Sequence, residues 1–214
     1  MLTSFACRPL KYPGANIFIR YNKGISILEK TTKLKQGKFS SIVSSRKPFG
    51  LATNFKEYNH KKNNNDDIKV YATREVGWLA KDENIKKLRN QNWIEKWKVF
   101  LPKAIGSGNM SEDVFKPILG EPNSISTETY VLIGPFNNER EAQNVISYIR
   151  TKFFHFMAGL GKVTQDATAK IYNFVPIQDF SKPWTDEELY KKYNLSNDEI
   201  EFIESMIRPM DLED

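Results

Sequence analysis

The side chains most able to do chemistry in this sequence are cations, hydroxyls and amides placed in loops. Residues 44–50, Ser-Ser-Arg-Lys-Pro-Phe-Gly, put two hydroxyls, two cations and an aromatic ring in one loop. Arg can donate two hydrogen bonds to guanine, Lys suits a phosphate, Ser serves either, and Gln pairs with adenine. These residue types favour contact with a nucleic acid, and the candidates are Ser44, Ser45, Arg46, Lys47, Asn54, Lys56, Arg74, Lys103, Ser107, Lys116, Lys162, Thr164 and Gln165.

The positive charge lies mainly in the first third of the chain. Residues 1–65 hold 13 Lys and Arg against 2 Asp and Glu, whereas residues 66–180 hold 15 against 14. Residues 181–214 hold 4 against 10. This asymmetry predicts a polyanionic partner for the basic part, although a solvated basic surface would give the same composition.

Glycine-rich loops and histidines do not form a recognisable catalytic pattern. Residues 106–108, Gly-Ser-Gly, lack the strand–turn–helix context of a nucleotide-binding loop, and residues 159–162, Gly-Leu-Gly-Lys, follow a predicted helix instead of a strand. His60 and His155 are far apart, and neither has a second His or a Cys nearby to complete a zinc site. We therefore expect no catalytic residue, metal or cofactor in this chain.

One spacing leaves a nuclease open as an alternative. Asp67-Ile68-Lys69 has the Asp-x-Lys arrangement of magnesium-dependent nucleases. Residues 1–65 contain no Asp, so the upstream metal ligand would have to be Glu29 or Glu57. A charged entry into a strand explains the same three residues.

The composition is that of a folded domain. Of the 214 residues, 40% are hydrophobic and 13% aromatic, enough to bury a core. No apolar run approaches the ~20 residues that span a bilayer, and the first ten residues lack the pattern of a signal peptide. The single cysteine, Cys7, cannot form an internal disulfide and fits the reducing cytoplasm.

Hydrophobic periodicity and caps predict an α+β fold. An apolar face recurs from Ala142 to Phe156 at helical spacing, and two capping boxes, at Thr185 and Ser196, predict a helical hairpin. Residues 96–104 alternate as a half-buried strand would. Short strands are predicted at 17–19, 68–72, 76–79, 130–133 and 171–176, and a further helix from Asn22 to about residue 36.

Several segments resemble the C-terminal part of single-chain type II restriction–modification adenine methyltransferases. They are Phe-Ile-Arg-Tyr-Asn at 18–22, Ser-Ile-Val-Ser-Ser-Arg-Lys-Pro-Phe-Gly-Leu at 41–51, Thr-Glu-Thr-Tyr at 127–130, Val-Pro-Ile-Gln-Asp-Phe at 175–180 and Trp-Thr-Asp-Glu-Glu-Leu-Tyr at 184–190. They cover nearly the whole chain in the order of that family.

The resemblance implies a DNA target-recognition domain like those of type I specificity subunits. It implies a mixed, mostly antiparallel sheet with packed helices over residues 1–180. The acidic hairpin, 181–214, would pack on this domain or on a catalytic domain. That separate domain would bind S-adenosylmethionine, flip the adenine and methylate it. The methylation motifs are absent from this chain, so duplex DNA and the catalytic domain are its expected partners.

The resemblance also separates candidate roles among the loops. Because residues 44–50 follow the pattern of the family, Arg46 and Lys47 are expected to hold phosphate or structure, and Phe49 to anchor packing. Residues 54–67 and 106–115 look variable and are better candidates for contact with bases. A third hypothesis is that the hairpin, residues 184–210, docks a protein partner.

Overall fold

The computed structural model describes residues 18–104, 115–162 and 168–207. Its strands are β1 (Ile68–Ala72), β2 (Glu75–Leu79), β3 (Trp97–Pro102), β4 (Ile118–Gly120), β5 (Ser124–Ser126) and β6 (Tyr130–Phe136). Its α-helices are α1 (Asn22–Lys33), α2 (Glu139–Ile149), α3 (Lys152–Gly161), α4 (Asp186–Lys192) and α5 (Asn197–Met206). Short 3₁₀-helices cover Phe39–Ile42, Glu83–Lys87, Gln91–Trp93 and Ala169–Asn173.

The strands form two three-stranded sheets. In the first, β1 lies between β2 and β5, antiparallel to β2 and parallel to β5. In the second, β3 lies between β4 and β6 and is antiparallel to both. The predicted α+β class with mostly antiparallel strands is confirmed, but the strands divide into two sheets.

Two predicted strands are wrong. Residues 18–20 have no regular structure, and Ile17 lies outside the described residues. The segment predicted as a strand at 171–176 belongs largely to the 3₁₀-helix Ala169–Asn173, which buries Ile171 and Tyr172. Periodicity alone cannot distinguish a strand from a buried helical turn in so short an apolar run.

Strand β3 is buried on both faces, so the expectation of a half-buried strand is wrong. Lys98 and Phe100 lie on the face expected to be exposed, yet both are fully buried. The first sheet covers this face, and the ring centroids of Phe100 and Tyr71 are 4.6 Å apart. The packing of one sheet against another is a tertiary feature, and alternation within a single strand does not encode it.

The ammonium of Lys98 is held by backbone carbonyls. Its Nζ lies 2.8–3.1 Å from the carbonyl oxygens of Trp93, Ile94, Lys96 and Glu121. Burial lowers the pKa of Lys98 to about 7. Because carbonyl oxygens favour the charged form, this cage offsets part of the cost of burying the amine.

The apolar stripe from Ala142 to Phe156 belongs to two helices instead of one. The side chain of Thr151 accepts a hydrogen bond from the Phe154 amide and starts α3. The carboxylate of Asp186 accepts from the amides of Lys152 and Phe153, at 3.0 and 2.8 Å. These two caps satisfy the first amides of α3, so the chain can change direction after α2.

The predicted C-terminal hairpin is confirmed, with both capping boxes formed at Thr185 and Ser196. It packs on α1 and α3: Tyr193 stacks on Phe153 with ring centroids 5.1 Å apart, and Ser26 donates to Glu199 at 2.6 Å. The buried side chains of the hairpin share one hydrophobic core with α1, α2 and α3 and with Val99 and Leu101 of β3.

A second core lies between the two sheets and beneath residues 49–58. It includes Phe49, Tyr58, Val70, Phe100 and Leu132. The expectation that Phe49 anchors packing is confirmed, since its side chain is fully buried.

None of the described helices is both long and apolar enough to cross a membrane.

Candidate nucleic-acid interface

Six of the seven predicted cations lie at one end of both sheets. Strand β3 ends at Pro102, which pairs with Tyr130 at the start of β6, and β1 ends at Ala72, which pairs with Glu75 at the start of β2. Residues 127–129 connect β5 to β6 across this end. Six candidate cations lie on the segments that meet here, and we call them the basic end: Arg46, Lys47, Lys56, Arg74, Lys103 and Lys116.

The loop that carries Arg46 and Lys47 is fixed by its neighbours. The Ser44 amide donates to the Leu132 carbonyl at 2.8 Å, and the Leu132 amide donates to the Ser44 hydroxyl at 2.9 Å. The loop is held again at Pro48, whose carbonyl accepts from the Asn90 side chain at 2.7 Å. These bonds place the two cations along the edge of β6.

A buried carboxylate organises three cations of the basic end. Glu128 is 4% exposed, and Arg46 Nε donates to it. Lys103 Nζ lies 3.4 Å from Oε1 of this carboxylate and Lys47 Nζ lies 3.6 Å from Oε2. Burial opposes ionisation of Glu128, but the hydrogen bond and charge of Arg46 outweigh it, so the pKa of the carboxyl lies below its usual value.

The turn between β1 and β2 fixes the position of Arg74, and the register of β3 and β4 fixes that of Lys116. Arg74 is exposed in that turn with a φ of 63°, and the neighbouring Thr73 hydroxyl lies 2.6 Å from the hydroxyl of Thr129. Phe100 pairs with Ile118, so the exposed Lys116, two residues before Ile118, lies level with the end of β3. The turns of both sheets therefore meet at one surface.

Lys56 belongs to a second, smaller cluster around Glu75. Its Nζ donates to Oε1 of Glu75, and the Tyr58 hydroxyl donates to the same oxygen at 2.7 Å. His60 Nδ1 lies 3.8 Å from Oε2. The hydrogen bond from Lys56 lowers the pKa of Glu75, so the carboxylate is charged at neutral pH.

Not every predicted contact lies at the basic end. Ser44 is buried and hydrogen-bonded to β6, so its part is structural, whereas Ser45 and Asn54 are exposed. Lys162 follows the last residue of α3 and is not among the groups around Glu128 or Glu75. Ser107, Thr164 and Gln165 lie outside the described residues.

Several side chains of this surface were not predicted, namely Glu75, Glu128, Tyr58, Thr73 and Thr129. The two carboxylates were not predicted because only cations, hydroxyls and amides in loops were taken to indicate contact with a nucleic acid. The Thr-Glu-Thr run at 127–129 carried a signal, since it belongs to a segment that resembles the methyltransferase family. Nothing local in the sequence links Glu128 to Arg46, which is 82 residues away.

Asp67 and Lys69, two residues of the nuclease alternative, have hydrogen-bond partners within the fold. Oδ2 of Asp67 accepts from the amides of Asn63 and Asn64 at 2.8 and 3.0 Å, which closes the turn before β1. Lys69 donates to Glu121 at 2.6 Å. Within the described ranges, no three His, Cys, Asp or Glu side chains group as a metal site would require.

Comparison with known proteins gives no family for this chain. No protein-family model, curated protein or solved structure matches it.

Proposed function

We propose that this chain recognises sequence in duplex DNA for a restriction–modification adenine methyltransferase. The observation that carries the proposal is the basic end, where six cations from separate segments of the chain lie at one end of the two sheets. Methylation, with S-adenosylmethionine as methyl donor, belongs in this proposal to a separate catalytic domain. The sequence resemblance supplies that part of the proposal.

The charge and exposure of the basic end suit a duplex. Side chains of Arg46 and Lys47 are 68% and 42% exposed, so both reach solvent while they remain paired with Glu128. Duplex DNA carries one negative charge per about 1.7 Å of axis, and neutralising its phosphates releases counterions. Cations held on a common scaffold bind such a polyanion with less loss of side-chain freedom than cations on free loops.

Within this proposal, Arg46, Lys47 and Lys103 hold phosphate and set the register of the protein on the duplex. Glu128 keeps the three cations together, because without it they would repel one another. Contacts to phosphate position a protein without reading sequence, so base recognition requires other residues of the same surface.

The proposal is tested by selecting bound duplexes from a randomised DNA pool at moderate salt and sequencing them. We expect a short enriched motif, and binding to the selected duplex that weakens steeply as salt rises. Lys47→Ala should lower affinity for all duplexes in the same ratio and make the salt dependence shallower by about one unit. Lys191→Ala, which removes an exposed cation from α4, is the matched control and should leave binding unchanged.

Two outcomes would contradict the proposal. If the chain binds no duplex, the basic end is not a DNA surface, and the acidic hairpin becomes the stronger candidate as a docking element. If plasmid is cleaved in magnesium and Asp67→Ala abolishes cleavage, the chain is a nuclease.

A further inference from the structure

Residues 56–60 pass beside β2 and are joined to it by an isolated antiparallel bridge between Asn59 and Trp78. The Asn59 amide donates to the Trp78 carbonyl and the Trp78 amide donates to the Asn59 carbonyl, both at 2.8 Å. The side chains of Lys56, Tyr58 and His60 all meet Glu75.

The position of this cluster is fixed by packing beneath it. The ring of Tyr58 lies on Gly77, where a Cβ atom would be only 2.1 Å from the ring. Tyr58 is itself 9% exposed, and its hydroxyl donates to Glu75 at 2.7 Å. Above this support the Lys56 side chain is 66% exposed and that of Glu75 is 30% exposed. A cation and a carboxylate are thus presented together on the surface, beside Arg74.

Lys56 and Glu75 form a one-to-one ion pair with no net charge, which is poorly suited to phosphate, whereas the three cations that share Glu128 keep a net positive charge. The negative charge of Glu75 cancels much of the attraction that Lys56 alone would exert, and Glu75 itself repels a phosphate oxygen. The same pair suits a surface that presents acceptors and a donor side by side. The major-groove edge of a G·C base pair is such a surface, with O6 and N7 of guanine as acceptors next to the N4 amino group of cytosine.

We propose that Lys56 and Glu75 together read one G·C base pair in the major groove. Lys56 donates to O6 and N7 of guanine, and Glu75 accepts from N4 of cytosine. An A·T pair fits less well because its two acceptors are separated by the adenine amino group, and the thymine methyl group flanks the outer one. This inference rests on the proposed function. It makes Lys56 and Glu75 determinants of sequence specificity, whereas Lys47 and Lys103 hold phosphate.

The experiment measures binding of the full chain to its selected duplex and to every single-base-pair variant of it. Wild type, Lys56→Ala, Glu75→Gln and Lys47→Ala are compared by fluorescence anisotropy. Wild type should prefer one G·C pair over A·T by roughly tenfold to a hundredfold. Lys56→Ala and Glu75→Gln should each lose that preference at the same position and keep the others. Lys47→Ala should keep every preference while binding more weakly.

A modified base tests the chemistry of the contact directly. Replacing the guanine at that position by 7-deazaguanine removes the N7 acceptor. Binding by wild type should weaken several-fold, whereas binding by Lys56→Ala should not change. Circular dichroism and thermal melting of each variant show whether the fold is retained, and Glu75→Gln preserves an acceptor for Tyr58.

Each other result overturns the inference. Lys56→Ala weakening all duplexes alike would make Lys56 a phosphate contact, with DNA recognition itself intact. Loss of preference at different positions in Lys56→Ala and Glu75→Gln, or at an A·T pair, would mean that the two residues do not read one G·C pair. Absence of duplex binding by wild type would refute the proposed function together with this inference.

Discussion

His155 should make the stability of this protein fall between pH 7 and pH 5. Its side chain is 3% exposed in α3, with its ring centroid 4.6 Å from that of Phe115. Nε2 has no hydrogen-bond partner among the described residues. Burial lowers the pKa of His155 from 6.5 to about 4, and a backbone hydrogen bond at Ile149 only partly opposes the shift.

Protonation of His155 favours the unfolded chain. Between pH 6.5 and pH 4 the unfolded chain binds a proton at His155 that the folded chain does not, so acid favours unfolding in this window. These two pKa values give a loss of about 2 kcal/mol between pH 7 and pH 5, and a nearly constant contribution above pH 7.

The assay is urea unfolding of wild type and His155→Leu at both pH values. Leucine has a similar volume and does not titrate. Carboxylates titrate in both proteins, so the difference between the two pH dependences isolates His155. Wild type should lose about 2 kcal/mol more than the variant on going to pH 5. An equal loss in both proteins would refute the reasoning that burial keeps this imidazole neutral.

Two further substitutions test the supports of the surface. Gly77→Ala should displace the Tyr58 ring, because the added Cβ would lie 2.1 Å from it. The free energy of unfolding, measured with urea, should fall by about 1–3 kcal/mol. An unchanged unfolding midpoint would show that the position of the ring does not depend on Gly77. Lys98→Met should cost about 1–3 kcal/mol, since the buried carbonyls around Lys98 Nζ lose their hydrogen-bond donor. Thermal melting checks this, and a stabilised variant would mean that the cost of burying the amine outweighs its hydrogen bonds.

Local signals in the sequence determined the C-terminal hairpin and several strands. The capping boxes at Thr185 and Ser196 formed as predicted because each joins residues only three positions apart. The hairpin of β1 and β2 formed for a related reason, since two apolar runs separated by a short turn are near neighbours in sequence and can pair as a hairpin. The break between α2 and α3 was missed, since one of its two caps comes from Asp186, more than thirty residues away.

The sequence also determined which residue types are available to bind DNA, but tertiary structure decided where they lie. Lys98 belongs to the same alternating pattern as the exposed Lys96, and only the packing of the tertiary structure buries it. Arg46, Lys103 and Glu128 meet because Pro102 of β3 pairs with Tyr130 of β6 and residues 43–44 join the edge of β6. That pairing depends on the packing of the two sheets and the helices, which joins residues far apart in sequence, so no local pattern of residues could have placed these charges together.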